Sequence, residues 1–79
     1  MSLKTIREIL EQHGRLPVGV DTLKDDSDLY NAGLTSLATV GLMLALEDTF
    51  DIEFPETMLS RKTFESIQAI ADAVDELKN

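Results

Sequence analysis

The chain has 79 residues, of which 15 are acidic and 7 are basic, so its net charge is -8. This length predicts one domain spanning residues 1–79. The acidity argues against nucleic acid as a direct partner, because phosphate binding needs clustered Lys and Arg. The chain contains no cysteine, which excludes disulfides, thiolate zinc sites and a cysteine nucleophile. No apolar run approaches the ~20 residues of a membrane span, and the N-terminus alternates charged with apolar residues, unlike a signal peptide. We therefore expect a cytoplasmic monomer with no membrane partner.

The first segment predicts a helix that ends near Gly14. Ser2 is suited to cap its start, and Gly14 is suited to end it. Apolar residues recur there at helical spacing: Leu3, Ile6, Ile9 and Leu10.

The segment from Arg15 to Thr35 predicts a long first loop. Pro17 and Gly19 interrupt regular structure, and the Asp-Asp-Ser-Asp run at 25–28 is turn-forming. A loop of this length inside a compact domain has to be held in place. We expect its apolar side chains to pack onto the helices that it crosses: Leu16, Val18, Val20, Leu23, Leu29 and Tyr30.

A central helix is predicted from Ser36 to Phe50, with Thr35 as its N-cap. Its apolar residues cover more than one face, so we expect it to contact several neighbours. Gly41 lies in its interior, where glycine costs about 1 kcal/mol relative to alanine.

Pro55 is well placed to begin a short third helix that runs through Leu59. The last helix is predicted to begin near Thr63, which is suited to cap it. Its apolar stripe is Ile67, Ile70, Ala71, Val74 and Leu77. The predicted fold class is therefore all-α: a small bundle of three main helices plus a short third helix, with a long first loop.

Chemistry is indicated where the central helix begins, in the run Gly33-Leu34-Thr35-Ser36-Leu37. A helix N-terminus presents free N–H groups and the positive end of the helix dipole, so it favours an anion. A phosphodiester on Ser36 would lie in that field, and its hydroxyl should be accessible to a modifying enzyme. Ser and Thr are also common at helix starts for structural reasons alone.

This run resembles the phosphopantetheine attachment motif of acyl and peptidyl carrier proteins, which has Gly, two variable positions, Ser and Leu. Downstream, residues 45–47 (Ala-Leu-Glu) and 50–55 (Phe-Asp-Ile-Glu-Phe-Pro) resemble that family's second helix and the following loop. Residues 63–67 resemble the start of its final helix. The similarity covers nearly the whole chain, and the order and lengths of the segments agree.

The resemblance implies a carrier that performs no catalysis itself. A phosphopantetheinyl transferase would attach 4′-phosphopantetheine from coenzyme A to Ser36, and the thiol of that arm would hold an acyl or aminoacyl group as a thioester. An arm that brings its own thiol is consistent with a chain that lacks cysteine. The resemblance also implies a set of motif and partner contacts: Gly33, Leu34, Thr35, Leu37, Val40 and Gly41.

The chain departs from fatty-acid carriers beside the attachment serine. Those carriers usually have an acidic residue before the serine and acidic residues along the second helix, whereas this chain has Thr35, Ala38 and Gly41. The only acids of the central helix, Glu47 and Asp48, lie at its far end. Charge complementarity governs encounter and specificity. We therefore expect different partners, with a more apolar or backbone-close contact.

This pattern resembles the stand-alone carriers served by amino acid:carrier-protein ligases. It implies a freestanding carrier for a small amino acid, a ligase that loads it and a downstream enzyme that accepts the cargo. The alternative within the carrier class is a carrier of fatty-acid or polyketide-type synthesis, loaded by an acyl-loading enzyme.

A cargo pocket between the helices is a further expectation, because related carriers sequester acyl chains there. For each candidate the alternative is an ordinary core residue, and a small amino acid needs no deep pocket. The candidates are Met43, Leu46, Phe50, Ile52, Met58 and Leu59.

Three other classes of protein are an enzyme, a calcium-binding protein and an unmodified interaction module. Ser36 is not in a G-x-S-x-G elbow, and His13 as the only histidine leaves few ways to activate a nucleophile, so we expect no enzyme. An EF-hand loop starting at Asp26 would have Asn31 where Gly is needed and Leu37 where Glu is needed, so we expect no metal site. An unmodified acidic protein-interaction module remains the other alternative.

Overall fold

The computed structural model describes residues 3–78. Within them the chain forms four α-helices and three 3₁₀ turns, and it has no β-strand. The helices are α1 (Leu3–His13), α2 (Leu29–Ala32), α3 (Ser36–Phe50) and α4 (Ile67–Lys78). The 3₁₀ turns are Val20–Thr22, Glu56–Met58 and Arg61–Phe64. The predicted all-α class is confirmed, whereas the predicted cap at Ser2 lies outside the described residues.

The core lies where α1, α3 and α4 meet, and α1 contacts both of the other helices. Apolar residues at helical spacing supply this core, since each helix turns one stripe inward. Phe54 and Phe64 close one end with ring centroids 5.4 Å apart and a tilted arrangement. Eight large side chains are fully buried: Ile6, Leu10, Leu29, Leu42, Leu46, Ile67, Ile70 and Val74.

The long first loop is held by polar contacts as well as by apolar packing. The Arg7 guanidinium donates to the carbonyl of Val20 at 3.0 Å and to the Asp25 carboxylate at 2.7 Å. The Gln68 N–H donates to the carbonyl of Asp25 at 2.8 Å. One arginine therefore ties the loop to α1, while the loop backbone is also tied to α4.

A one-turn helix within this loop was not predicted. The Asp28 carboxylate accepts from the N–H groups of Tyr30 and Asn31, which starts α2 as an N-cap. Leu29 is fully buried, and its N–H donates to the carbonyl of Glu65 at 2.8 Å. The acidic turn at 25–28 is thus part of a capped helix start.

Two predicted helix boundaries differ from the structure. The short third helix consists of two 3₁₀ turns, Glu56–Met58 and Arg61–Phe64, and not one α-helix from Pro55 to Leu59. The last helix begins at Ile67, four residues after Thr63. Its start is capped by Ser66, whose Oγ accepts from the N–H of Ala69 at 3.0 Å.

Thr63 lies inside the 3₁₀ turn Arg61–Phe64, which carries the buried ring of Phe64. The cap that starts α4 is therefore Ser66 and not Thr63. In residues 3–78, none of the helices is long and apolar enough to cross a membrane.

Candidate functional site

The backbone turn before α3 positions the candidate serine. Gly33 has φ +121°, a conformation that side-chain-bearing residues rarely adopt. A Cβ at this position would lie 2.6 Å from Cδ of Pro17, so the loop also approaches closely here. Leu34 then anchors the turn, because its side chain is buried and its N–H donates to the carbonyl of Leu29 at 2.9 Å.

Thr35 caps α3, as predicted. Its backbone is extended, and its Oγ1 accepts from the N–H of Ala38 at 3.1 Å. Its carbonyl accepts from the N–H of Thr39 at 2.9 Å. Ser36 and Leu37 lie between Thr35 and Ala38 in the chain, and their N–H groups have no acceptor within residues 3–78. The start of α3 therefore presents two N–H groups and the positive end of the helix dipole.

Ser36 is the first residue of α3, and its side chain is exposed. A phosphate group bonded to the Oγ of Ser36 would lie beside the two N–H groups, where negative charge is favoured. The residues present thus fit a phosphodiester at Ser36.

An apolar groove begins at this serine and runs between α3, Tyr30 of α2 and residues 59–64. This Ser36 groove has a volume of about 340 Å³. One wall carries a cation–π contact, with the Arg61 guanidinium carbon 4.3 Å from the centroid of the Tyr30 ring. The groove is lined by Tyr30, Ser36, Thr39, Val40, Met43, Leu59, Ser60, Arg61 and Phe64.

The six predicted cargo-pocket residues are not brought together at one cavity. Met43 and Leu59 line the Ser36 groove. Leu46 is fully buried in the core. The other three are partly buried and pack against the core: Phe50, Ile52 and Met58.

Three large apolar side chains of α3 face solvent. Leu37 is 82% exposed, Val40 is 52% exposed and Leu44 is 55% exposed. Leu37 and Val40 were predicted as partner contacts, whereas Leu44 was not. Its position seven residues after Leu37 would have placed it on the same face. This exposed strip is the kind of surface that marks an interaction site.

The charge along α3 follows the predicted distribution. Its first turn has no acidic residue. At the far end, Glu47 is engaged within the fold, because its carboxylate accepts from the N–H of Phe54 at 2.9 Å.

Within residues 3–78, no group of three His, Cys, Asp or Glu side chains could hold a metal ion.

The fold and the site define a class of carrier proteins, and comparison with known families agrees. The model of the phosphopantetheine attachment site matches residues 4–74, so the chain belongs to that family. The chain is therefore a carrier and not an enzyme, and its cofactor is 4′-phosphopantetheine. The predicted family and cofactor are confirmed.

Within this family, the chain is similar to carrier proteins of amino acids. The chain is 60% identical over 70 residues to the aminoacyl carrier protein of Agrobacterium fabrum, covering 89% of this chain and 84% of the relative. It is 39% identical over 61 residues to the D-alanyl carrier protein of Streptococcus uberis, covering 76% of each.

A solved structure shows a similar fold. The chain matches, with a TM-score of 0.93 and 55% identity, a chain in the crystal structure of an engineered Bradyrhizobium japonicum glycine:[carrier protein] ligase complexed with carrier protein from Agrobacterium tumefaciens and ATP. The match covers 96% of this chain and 99% of that chain.

Proposed function

We propose that this chain carries an amino acid as a thioester on a 4′-phosphopantetheine arm attached to the Oγ of Ser36. The observation that carries the proposal is the exposed hydroxyl at the first position of α3, inside the segment that matches the attachment-site family.

Attachment requires a phosphopantetheinyl transferase and coenzyme A. The Ser36 oxygen forms a bond to the phosphorus that carries the pantetheine group, the bond from that phosphorus to the nucleotide part breaks, and adenosine 3′,5′-bisphosphate leaves. The hydroxyl proton goes to a base on the transferase. Coenzyme A is a cytoplasmic substrate, so we place this modification in the cytoplasm.

The residues of this chain have defined tasks in the modified protein. The N–H groups of Ser36 and Leu37 would face the phosphodiester. Thr35 keeps that helix end ordered by capping it. When bound, the arm supplies the thiol that holds the cargo.

Aminoacyl cargo is favoured over fatty-acyl cargo by three observations. The curated relatives described above are named for aminoacyl and D-alanyl groups, and the similar carrier of A. tumefaciens was solved with a glycine ligase. The first turn of α3 also lacks the acidic residues that basic partners of fatty-acid carriers would need. We infer an amino acid:carrier-protein ligase as the loading partner and a separate enzyme as the acceptor.

The groove supports a small cargo. Of the candidate pocket residues, Leu46 is fully buried, so the interior beneath α3 is filled by the protein's own side chains. We infer that Met43 and Leu59 contact the arm or a short cargo in the Ser36 groove.

The attachment site is tested by intact-mass spectrometry after coexpression with a broad-specificity phosphopantetheinyl transferase. We expect wild type to gain the mass of one 4′-phosphopantetheine group and Ser36→Ala to gain none. Ser60→Ala is the matched control, because Ser60 is an exposed serine of the same groove. It should be modified like wild type. A mass gain that survives Ser36→Ala would show that the site is wrong.

The cargo is tested on the modified protein with ATP, glycine and the B. japonicum glycine:[carrier protein] ligase. We expect a thioester that hydroxylamine cleaves. No aminoacyl thioester with glycine or alanine ligases, together with ready loading by an acyl-carrier synthetase, would reverse the assignment to amino acids.

A further inference from the structure

The Ser36 groove has a single charged side chain, and that charge is positive. Arg61 is the charged residue, since all other lining residues are apolar or carry a hydroxyl group. The lining has no carboxylate, although the net charge of the chain is -8. Within residues 3–78 the one ion pair joins Arg7 to Asp25. The charge of Arg61 is therefore not neutralised by a neighbouring carboxylate.

The Arg61 guanidinium lies on the ring of Tyr30. Its central carbon is 4.3 Å from the ring centroid, which is within the range of a cation–π interaction. Tyr30 belongs to α2 and is half-buried, whereas Arg61 begins the last 3₁₀ turn and is exposed. The other aromatic ring of the groove, Phe64, is buried. A second cation in the groove would find neither a carboxylate nor the ring face that Arg61 covers.

The remaining lining residues suit the uncharged part of the arm. Ser36, to which the arm is attached, itself lines the groove. Between its phosphodiester and its thiol, 4′-phosphopantetheine has a geminal dimethyl group, a hydroxyl and two amides, and no charge. Apolar side chains such as Val40 and Met43 suit the methyl groups, and hydroxyl groups such as those of Thr39 and Ser60 can bond to amides.

An aminoacyl cargo differs from an acyl cargo by its α-amino group, which is protonated and charged at about pH 6. Entry into the groove would strip water from that ammonium group without supplying a carboxylate in exchange. It would also place the ammonium group near the like charge of Arg61. Both effects oppose entry of the amino acid, and neither opposes entry of the neutral arm.

We propose that Arg61, placed by its contact with Tyr30, makes the Ser36 groove selective for charge, so that it receives the arm with a free thiol and excludes the aminoacyl end of the loaded arm. The inference rests on the proposed function, because it requires an arm on Ser36. Arg61 is a positioning residue, since no bond forms or breaks at it. The consequence is that the loaded thioester projects into solvent, where an acceptor enzyme can reach it.

The test compares a glycyl arm with a propionyl arm. The two cargoes have equal numbers of non-hydrogen atoms, and the glycyl group has an ammonium where the propionyl group has a methyl. Both arms are attached to Ser36 by the broad-specificity phosphopantetheinyl transferase from synthetic coenzyme A analogues, in which a stable amide replaces the thioester.

The readout is NMR at about pH 6. Methyl shifts of Met43 and Leu59 give the ratio of groove-bound to free arm, and nuclear Overhauser contacts identify the arm in the groove. In wild type we expect contacts from the free-thiol and propionyl arms. We expect the bound-to-free ratio of the propionyl arm to be at least about tenfold higher than that of the glycyl arm.

The decisive variant is Arg61→Glu, which should shift this preference at least about tenfold toward the glycyl arm. The new carboxylate attracts the ammonium group, and the Tyr30 ring face is uncovered. Both arms have the same phosphodiester, so its interaction with the variant cancels in the comparison. Lys62→Glu is the matched control, because Lys62 is the exposed neighbouring cation and does not line the groove; its preference should stay within about twofold of wild type. Arg61→Lys, which retains the charge, should retain the wild-type preference.

The outcomes separate this inference from the proposed function. If wild type gains no arm at Ser36, the proposed function fails and the inference fails with it. If wild type gains the arm but glycyl and propionyl arms contact the groove equally, only the inference is overturned. It is also overturned if neither the free-thiol arm nor the propionyl arm contacts the groove, or if Lys62→Glu shifts the preference as much as Arg61→Glu.

Discussion

Thr35 is the residue at which the stability of the fold and the order of the modification site depend on one hydrogen bond. Its Oγ1 accepts from the N–H of Ala38 at 3.1 Å, next to Ser36. Thr35→Ala leaves that N–H without its partner at the helix end. Losing an N-cap of this kind costs about 1 kcal/mol. For a chain of 79 residues, this corresponds to a fall of about 4–8 °C in the thermal midpoint.

The assay is thermal and urea unfolding followed by circular dichroism, with the m-value checked for constancy. Thr49→Ala is the matched control, because it makes the same chemical change on an exposed residue of α3, away from the cap. It should be neutral or slightly stabilising, since alanine has the higher helix propensity. Thr35→Ser should retain the midpoint, because serine caps equally well.

The reasoning would be refuted by a Thr35→Ala protein that melts with wild type, or by a Thr49→Ala protein that loses as much stability. Thr35→Asp extends the test. In the unmodified protein it should gain about 0.3–1 kcal/mol from the helix dipole. That gain should shrink after modification, because the phosphodiester brings a second negative charge to the same helix end.

Three further substitutions test the contacts that hold the first loop and the turn before α3. Arg7→Met should lower the free energy of unfolding by about 1–2 kcal/mol, since it removes bonds to the Val20 carbonyl and Asp25; urea unfolding measures this. Leu29→Ala should cost about 2–5 kcal/mol by leaving a cavity at a fully buried site, read from the same transitions. Gly33→Ala should lower the thermal midpoint by strain at φ +121° and by the close approach of Pro17.

Each of these three changes has its own contradicting outcome. Equal stability of Arg7→Met and wild type at low salt would show that the loop is held by apolar packing alone. A loss below about 1 kcal/mol for Leu29→Ala would show that the site collapses without a cavity. A Gly33→Ala protein as stable as wild type would show that the turn before α3 relaxes without strain.

Local features of the chain were predictable because their signals lie within a few residues. The apolar spacing of α1 and α4 follows the helical period, and the Thr35 cap and Ser36 at the helix start follow from the order of four or five residues. The boundaries near Pro55 and Thr63 were wrong in detail, because both residues satisfy local rules for a helix start. In the structure Thr63 belongs to a 3₁₀ turn that buries Phe64, and Ser66 caps α4 instead.

The cargo pocket illustrates the limit of reasoning from an apolar pattern. Met43 and Leu46 are neighbours on one helix, and both are apolar. Only the packed structure turns Met43 toward the Ser36 groove and buries Leu46 completely. An apolar side chain serves either role, so its sequence position does not distinguish a lining residue from a core residue.

By itself the sequence determined the all-α class, the family and the serine at the start of a capped helix, since periodicity, capping and a short motif are local properties. Tertiary structure alone decided how Arg7 and Asp25 hold the first loop and which apolar residues line the groove. These features depend on contacts between residues far apart in the chain. The signal for Ser36 as a modification site lies within a few residues and can be read from the sequence, whereas the groove beside it forms only when α3 packs against residues 59–64.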